Sequence, residues 1–171
     1  MSRLPKIDPG SVCLLLGQQG SGKSFAAQAL ALEWYRGGGA VIICDPMGCF
    51  GGMTHAAGFV PVHEMAKPDF WPPETGSRPL LLVIDEVHQI CRRGKQAPKW
   101  LAPLCAQVRH LRLSLLATSQ HPAQVHSDLR TLATHVYASH LRGAEAIGWC
   151  RSGGLSYPKP APAPRQFVRL R

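Results

Sequence analysis

The sequence predicts an α/β fold, with a mainly parallel central sheet flanked by helices. Short apolar runs of strand length alternate with segments of helical periodicity, as in proteins whose parallel strands are joined by helices. The most apolar run, residues 80–84, contains no polar side chain, which is typical of a strand buried on both faces. The 171 residues are enough for one domain and too few for two, so we expect a single hydrophobic core.

The elements can be placed in order along the chain. A first helix has apolar residues recurring from Ala26 to Trp34 and ends at Gly37, and a second helix covers residues 100–108. Gly and Pro are frequent between about residues 45 and 79, where no element is predicted. The predicted strands are residues 11–16, 40–44, 80–84, 113–117 and 135–139.

The composition limits the class of protein. An apolar content of 45% with 17% charged residues is globular and excludes a disordered chain. No apolar run approaches the roughly 20 residues that cross a bilayer, and the first residues lack a signal-peptide pattern, so we expect a cytoplasmic protein. The net charge of +9 favours a polyanionic partner such as nucleic acid, although a basic surface that only maintains solubility fits equally well.

Cysteine and histidine spacing predicts no metal centre. The six cysteines form no paired C-x-x-C motif, and several lie in apolar stretches where a free thiol packs as a small apolar group. The histidines are scattered and supply no second matched ligand pair. Neither a zinc site nor a disulfide framework is therefore expected.

The turn between the first strand and the first helix matches the phosphate-loop pattern G-x-x-x-x-G-K-[ST]. Such a loop points backbone N–H groups at phosphate oxygens, and the helix N-terminus adds partial positive charge. We expect Lys23 to reach the β- and γ-phosphates of ATP and Ser24 to be a ligand of Mg²⁺. The nucleotide-binding residues predicted from this motif are Gly17, Gln18, Gln19, Gly20, Ser21, Gly22, Lys23 and Ser24.

Three polar residues come after the predicted strands 80–84 and 113–117. Asp85 and Glu86 follow the apolar strand 80–84, at the edge where open α/β sheets bind ligands. We expect Asp85 to hold Mg²⁺ and Glu86 to deprotonate the water that attacks the γ-phosphate; the alternative is a pair of acids capping the next helix. Gln120 closes the strand that begins at residue 113. At this position its side-chain amide can contact both the γ-phosphate and the water.

The residues after Glu86 allow two further interpretations. Residues 85–88, Asp-Glu-Val-His, imitate the D-E-x-H box of two-lobed helicases, but one domain of this length cannot supply two lobes. We therefore expect His88 to be structural or a relay to the nucleotide site. The loop that follows is predicted to be exposed, and it either contacts DNA phosphates or is simply solvated. Its basic residues are Arg92, Arg93, Lys95 and Lys99.

Residues 109–120, RHLRLSLLATSQ, resemble the arginine, turn, hydrophobic strand and terminal glutamine of the FtsK–HerA superfamily, with its eleven-residue step from Arg109 to Gln120. The resemblance covers about residues 10–150, is weak over 48–78, and is greatest toward viral genome-packaging ATPases. The zonular-occludens-toxin-like assembly ATPases of filamentous phages share much of the pattern. The resemblance implies a RecA-like P-loop ATPase domain, placed at residues 1–157. Residues 158–171 match nothing in this family, and their alternating Pro and Ala followed by basic residues favour an extended Pro-rich basic arm over a packed element.

The resemblance also implies a function. It points to a homo-oligomeric, hexameric ring that uses ATP and Mg²⁺ to move double-stranded DNA into a viral capsid, at a portal vertex, in the host cytoplasm or with the virion. Arg109, or alternatively Arg112, would be the finger that reaches a neighbour's ATP. The rival functions are a filamentous-phage assembly ATPase at a membrane, whose expected membrane segment we do not find here, and a nucleotide-switched assembly factor.

Overall fold

The structure, a computed structural model, describes residues 5–67, 69–73 and 75–171. The predicted domain of residues 1–157 therefore includes positions 1–4, 68 and 74 that lie outside the described residues. The strands are β1 Val12–Leu16, β2 Ala40–Cys44, β3 Gly58–Phe59, β4 Leu80–Ile84, β5 Leu113–Ser119, β6 His135–Ala138 and β7 Val168–Arg169. The helices are α1 Lys23–Arg36, α2 Val62–Met65, α3 Leu101–Gln107, α4 Ser127–Leu132 and α5 Ala144–Ser152.

One sheet contains all seven strands, in the order β3-β2-β4-β5-β1-β6-β7. All neighbouring pairs are parallel except β6 with β7. Apolar clusters cover both faces, one built with α1 and the other with α3 and α4. This confirms the predicted α/β fold, and it brings the carboxyl ends of β1, β4 and β5 together at one edge.

The five predicted strands are all present, with ends that differ by at most two residues. The stretch with frequent Gly and Pro contains two elements that were not predicted, β3 and α2. Their lengths of two and four residues explain this, because neither is long enough to show a period in the sequence.

The expectation that residues 158–171 form an extended, unpacked arm is wrong for its last residues, because these pair with the sheet. Val168 and Arg169 pair with Ala138 and Tyr137 of β6, and Arg171 donates hydrogen bonds to the carbonyls of Arg130 and Ala133. The apolar side chains of Phe167 and Leu170 pack against the two core clusters. An arm with these apolar residues covers the edge of β6, which would otherwise be unpaired.

Within the described parts of the chain, no helix has the length and apolar character required to span a bilayer.

Candidate active site

The phosphate loop is fixed between two strand ends. Gly17 N donates to Ser119 O at 3.2 Å, and Gln18 N donates to His140 O at 3.1 Å. Gly22 has a φ of 87°, a left-handed conformation that favours glycine, and α1 begins at the next residue. The loop therefore joins β1 to α1 as the motif predicts, with β5 on one side and β6 on the other.

Two buried polar groups make the loop suited to an anion. Lys23 is buried, and its Nζ donates to the carbonyl of Gln18 at 3.4 Å. The Ser21 hydroxyl is also buried and has no hydrogen-bond partner among the described residues. The first turn of α1 contains no acidic residue of its own. A buried ammonium, an unsatisfied hydroxyl and a helix N-terminus together fit a phosphate group.

Asp85 is held by the strands on either side of it. Its backbone N–H donates to Cys44 O at 2.9 Å, and the Thr118 hydroxyl donates to its Oδ1 at 2.6 Å. The same hydroxyl accepts the backbone N–H of Glu86 at 3.1 Å. Burial raises the pKa of Asp85, and the hydrogen bond from Thr118 offsets only part of this effect. Thr118 thus orients both acids, a role that the sequence analysis did not assign.

A second carboxylate, Asp45, was missed by the sequence analysis. One ligand atom from each of Asp45, Cys49 and Asp85 lies within 4.8 Å of the others. The predicted Mg²⁺ residue Asp85 therefore lies in one cluster with Asp45, and the other, Ser24, has its side chain near the Cys49 thiol. The signal was present in the sequence, because Asp45 directly follows a strand as Asp85 does. In the structure, the pairing of Cys44 with Ile84 places the ends of these two strands side by side.

The chemistry of this cluster fits a hard divalent cation. Carboxylate and hydroxyl oxygens are ligands that Mg²⁺ prefers. Burial raises the pKa of the Cys49 thiol, and the nearby carboxylates of Asp85 and Asp45 raise it further.

Glu86 lies between the phosphate loop and the end of β5. Its Oε1 is 3.7 Å from Lys23 Nζ, and its Oε2 accepts the Gln120 N–H at 3.0 Å and lies 3.3 Å from His88 Nδ1. Burial would raise the pKa of Glu86, but the hydrogen bonds from His88 and Gln120 and the charge of Lys23 outweigh it, so this pKa lies below its ordinary value. Glu86 is a carboxylate at neutral pH.

The backbone at Glu86 is unusual. Its φ of 48° is in the left-handed region, which a residue with a side chain rarely adopts. Strained backbone of this kind is concentrated at functional sites, where the surrounding structure holds it in place. Here the contacts of Glu86 with Lys23, Gln120 and His88 supply that restraint.

His88 and Gln120 both lie at this site. His88 Nδ1 is 3.3 Å from the Ser119 hydroxyl as well as from Glu86, and its ring packs edge-on against His121. Gln120 contacts Glu86 through its backbone N–H, a contact that the sequence analysis did not predict. His88 was expected to be structural or a relay to the nucleotide site, and it lies in contact with Glu86 and with the end of β5.

The structure does not bring the predicted DNA-binding residues to the site around Lys23, Asp85 and Glu86. The side chains of Arg92, Arg93, Lys95 and Lys99 are exposed as predicted. The loop that carries them is anchored beyond the end of β5, where Arg93 N donates to Gln124 O at 2.7 Å.

Arg109 lies at the opposite edge of the sheet. It packs against Gly10, where an added Cβ would be 2.9 Å from Arg109 Cγ. Gly10 precedes β1 and the phosphate loop follows β1, whose five residues span about 17 Å at ~3.3 Å per residue. Arg109 is therefore remote from the phosphate loop of its own chain.

Comparison with solved structures places the fold of this chain with that of RecA-like P-loop ATPases. The genome packaging NTPase B204 from Sulfolobus turreted icosahedral virus 2 in complex with sulfate has a TM-score of 0.69 and 16% identity, covering 85% of this chain and 82% of that chain. Its complex with ATP-gammaS has a TM-score of 0.65 and 13% identity over 85% and 83% of the two chains. These identities show the fold alone.

The N-terminal domain of zonular occludens toxin from Neisseria meningitidis is also similar, with a TM-score of 0.54 and 18% identity over 77% of each chain. No curated protein matches the chain significantly. The resemblance to viral packaging ATPases and to zonular-occludens-toxin-like ATPases is confirmed by these likenesses together with a family match. The family model described as zonular occludens toxin (Zot) matches residues 55–157, more than half of the chain. The chain belongs to the zonular occludens toxin family.

Proposed function

We propose that this protein is an ATP-hydrolysing motor of virus assembly that translocates double-stranded DNA. The observation that carries the hydrolytic part is the position of Glu86, whose carboxylate contacts Lys23 of the phosphate loop and the N–H of Gln120. A base in this position faces the space where a terminal phosphate and its attacking water would meet. The names of the similar packaging NTPases and the family match support a role in virus assembly.

Each residue of the site has a distinct part in this proposal. Lys23 and the backbone of the phosphate loop bind the β- and γ-phosphates, and Ser24, Asp85 and Asp45 hold Mg²⁺. When bound, Mg²⁺ neutralises charge on the phosphate oxygens.

Glu86 supplies the base. Because its pKa lies below the ordinary value, its carboxylate is ionised at neutral pH and accepts a proton from the attacking water. Gln120 and His88 hold this carboxylate in place through their contacts with Oε2. The side-chain amide of Gln120 contacts the γ-phosphate and reports its presence.

DNA is the proposed partner for two reasons: one exposed loop is positively charged, and this loop is connected to the end of β5 beside the nucleotide site. The exposed cations Arg92, Arg93, Lys95 and Lys99 follow Glu86 in the chain. Their loop is hydrogen-bonded to Gln124, four residues after Gln120, so a change at the γ-phosphate has a short path to it. Contacts of these side chains with DNA phosphates would be independent of sequence, as a translocating motor requires.

The remote position of Arg109 supports a ring. An arginine at the amino edge of the sheet serves an ATP site only in a neighbouring subunit, and a homo-hexamer provides such neighbours. In this assembly, the capsid or its portal vertex would receive the DNA.

The test is the ATPase rate with and without double-stranded DNA, at low and high salt. We expect DNA to stimulate hydrolysis at low salt and to lose this effect at high salt, since phosphate contacts release counterions. Lys23→Ala is the control that must abolish the rate under every condition. Hydrolysis that never responds to DNA would contradict the translocation proposal.

A second candidate is a filamentous-phage assembly ATPase, which the family match over residues 55–157 favours. In this case hydrolysis would be stimulated by an assembly partner or a membrane surface and not by DNA. The same assay, repeated with lipid vesicles in place of DNA, separates the two functions. A protein that binds ATP without turnover would instead be a nucleotide-switched assembly factor.

A further inference from the structure

The C-terminal arm lies directly on the phosphate loop. Arg165 N donates to Ser21 O at 2.9 Å. The hydroxyl of Ser139, just after β6, donates to the carbonyls of Ser21 at 3.3 Å and Ala163 at 3.5 Å, and His140 Nδ1 lies 3.0 Å from Pro162 O. The loop and the arm are therefore connected through the end of β6.

A cavity of about 380 Å³ lies between the arm and the start of α1. Phe25 is 71% exposed, although its side chain is large and apolar. Arg165 of the arm also lines this cavity. The lining residues are Gly20, Gly22, Lys23, Ser24, Phe25 and Arg165.

The position of Glu86 determines which part of a nucleotide this cavity could receive. Glu86 and Gln120 lie on the side of the phosphate loop that faces β4 and β5, whereas the arm lies on the β6 side. A γ-phosphate beside Glu86 directs the rest of the nucleotide away from β5. The ribose and the base would then leave the loop on the side of Phe25 and Arg165.

We propose that this cavity binds the nucleoside part of ATP, with Phe25 and Arg165 on either side of it, so that the C-terminal arm is a nucleotide-binding element. The inference rests on the proposed ATPase function. An exposed aromatic ring offers a face for base stacking, and a planar guanidinium stacks on an aromatic base or pairs with polar groups of the ribose.

The close approach of the arm also gives Gly22 a second role. An added Cβ at Gly22 would lie 3.0 Å from Arg165 Cγ, so the Arg165 side chain would have to shift by a few tenths of an ångström to accommodate it. Arg165 itself has a φ of 65°, a rare conformation for a residue with a side chain. The contacts that hold this conformation join the arm to the loop at the cavity wall.

The experiment compares two probes, ATP and inorganic tripolyphosphate, by calorimetric titration of the full chain. Phe25→Ala and Arg165→Ala should each weaken ATP binding about tenfold or more, since stacking on one base is worth this much. Binding of tripolyphosphate, which has no nucleoside, should be unchanged in both variants. The matched controls are Tyr35→Ala, an exposed aromatic ring at the far end of α1, and Lys159→Ala, an exposed cation of the arm.

Unchanged ATP affinity in Phe25→Ala and Arg165→Ala would overturn the inference, and so would an equal loss for both probes. Lys23→Ala separates this result from the proposed function, since it should lose both probes. If Lys23→Ala kept both, the ATPase proposal itself would fail. Hydrogen exchange gives a second measurement on the unaltered protein: the amide of Arg165 should be protected by a non-hydrolysable ATP analogue and less so by tripolyphosphate. Equal protection would contradict the inference.

Discussion

The carboxyl and amino edges of the sheet differ in which groups of the proposed hydrolytic site they contain. At the carboxyl edge, Lys23, Asp85 and Glu86 are each no more than 6% exposed, and hydrogen bonds or ion pairs connect them with neighbouring strands. At the amino edge, Arg109 and Arg112 are exposed beside an open cavity of about 330 Å³. The carboxyl edge contains the proposed base and the proposed phosphate-binding groups, whereas the amino edge presents two exposed arginines. This difference is the basis of our proposal that a neighbouring chain supplies an arginine to the site.

The largest effect should come from the amino edge. We expect Arg109→Ala to lower the steady-state ATPase rate by about 10³ to 10⁵, the range known for arginine fingers that stabilise charge on the transferred phosphoryl group. Binding of ATP, measured by titration, should change little. Arg112→Ala is the matched control, and a large loss in that variant with none in Arg109→Ala would assign the finger to Arg112.

Next in size is the loss of the base at the carboxyl edge. Glu86→Gln should keep ATP binding and lower turnover by about 10² to 10⁴, because the amide cannot accept the proton of the attacking water. Single-turnover hydrolysis measures this effect. Glu145→Gln, an exposed acid on α5, should be normal. Wild-type turnover in Glu86→Gln would show that another group is the base.

Thr118→Val tests the connection between β4 and β5. It removes the hydroxyl that donates to Asp85 and accepts the Glu86 N–H, leaving buried polar groups unpaired. We expect a loss of about 1–3 kcal/mol in the free energy of unfolding, measured with urea. Thr131→Val, at an exposed position of α4, should lose much less. Equal losses would mean that the hydroxyl of Thr118 has no special part.

His88→Ala should move the acid limb of the pH profile. In the folded protein the pKa of Glu86 lies below its ordinary value, partly because His88 hydrogen-bonds its carboxylate. The stabilisation that ionised Glu86 provides is therefore present above its unfolded pKa and is lost as pH falls through the lower folded pKa. Without His88 the folded pKa rises, so turnover, followed from about pH 4 to about pH 7, should decline at a higher pH. His110→Ala should leave the limb in place.

The smallest effect should be that of the exposed loop after Glu86. Neutralising Arg92, Arg93 and Lys95 together should flatten the plot of log DNA affinity against log salt, by up to about 0.9 for each DNA phosphate that these side chains neutralise. The change should be similar for unrelated DNA sequences, and ATP turnover without DNA should persist. An unchanged slope would place the DNA-binding surface elsewhere on the protein.

The sequence predicted the carboxyl edge better than the rest of the molecule. The five longer strands and the positions of Lys23, Asp85 and Glu86 follow from apolar runs that end in motifs with known spacing. Asp45 could have been found in the same way, since it also follows a buried strand. The contacts of Thr118 and His88 depend on strand order and side-chain direction, which no local pattern encodes.

The C-terminal arm, in contrast, was predicted poorly from the sequence. Alternating Pro and Ala residues favour an extended, unpacked chain. The later apolar residues Phe167, Val168 and Leu170 nevertheless pack at β6, and this places the arm beside the phosphate loop. Packing between segments distant in sequence decided this outcome over local preference.

In the proposed ring, one hydrolytic site needs both edges of the sheet, each from a different chain. The most direct measurement mixes Arg109→Ala protein with Lys23→Ala protein, each inactive alone, and follows ATP hydrolysis across mixing ratios. Mixed assemblies pair an intact phosphate loop with an intact arginine from the neighbour, so we expect activity to reappear and to peak at intermediate ratios. No recovery, with mixed assembly shown independently by pull-down of differently tagged chains, would contradict the claim.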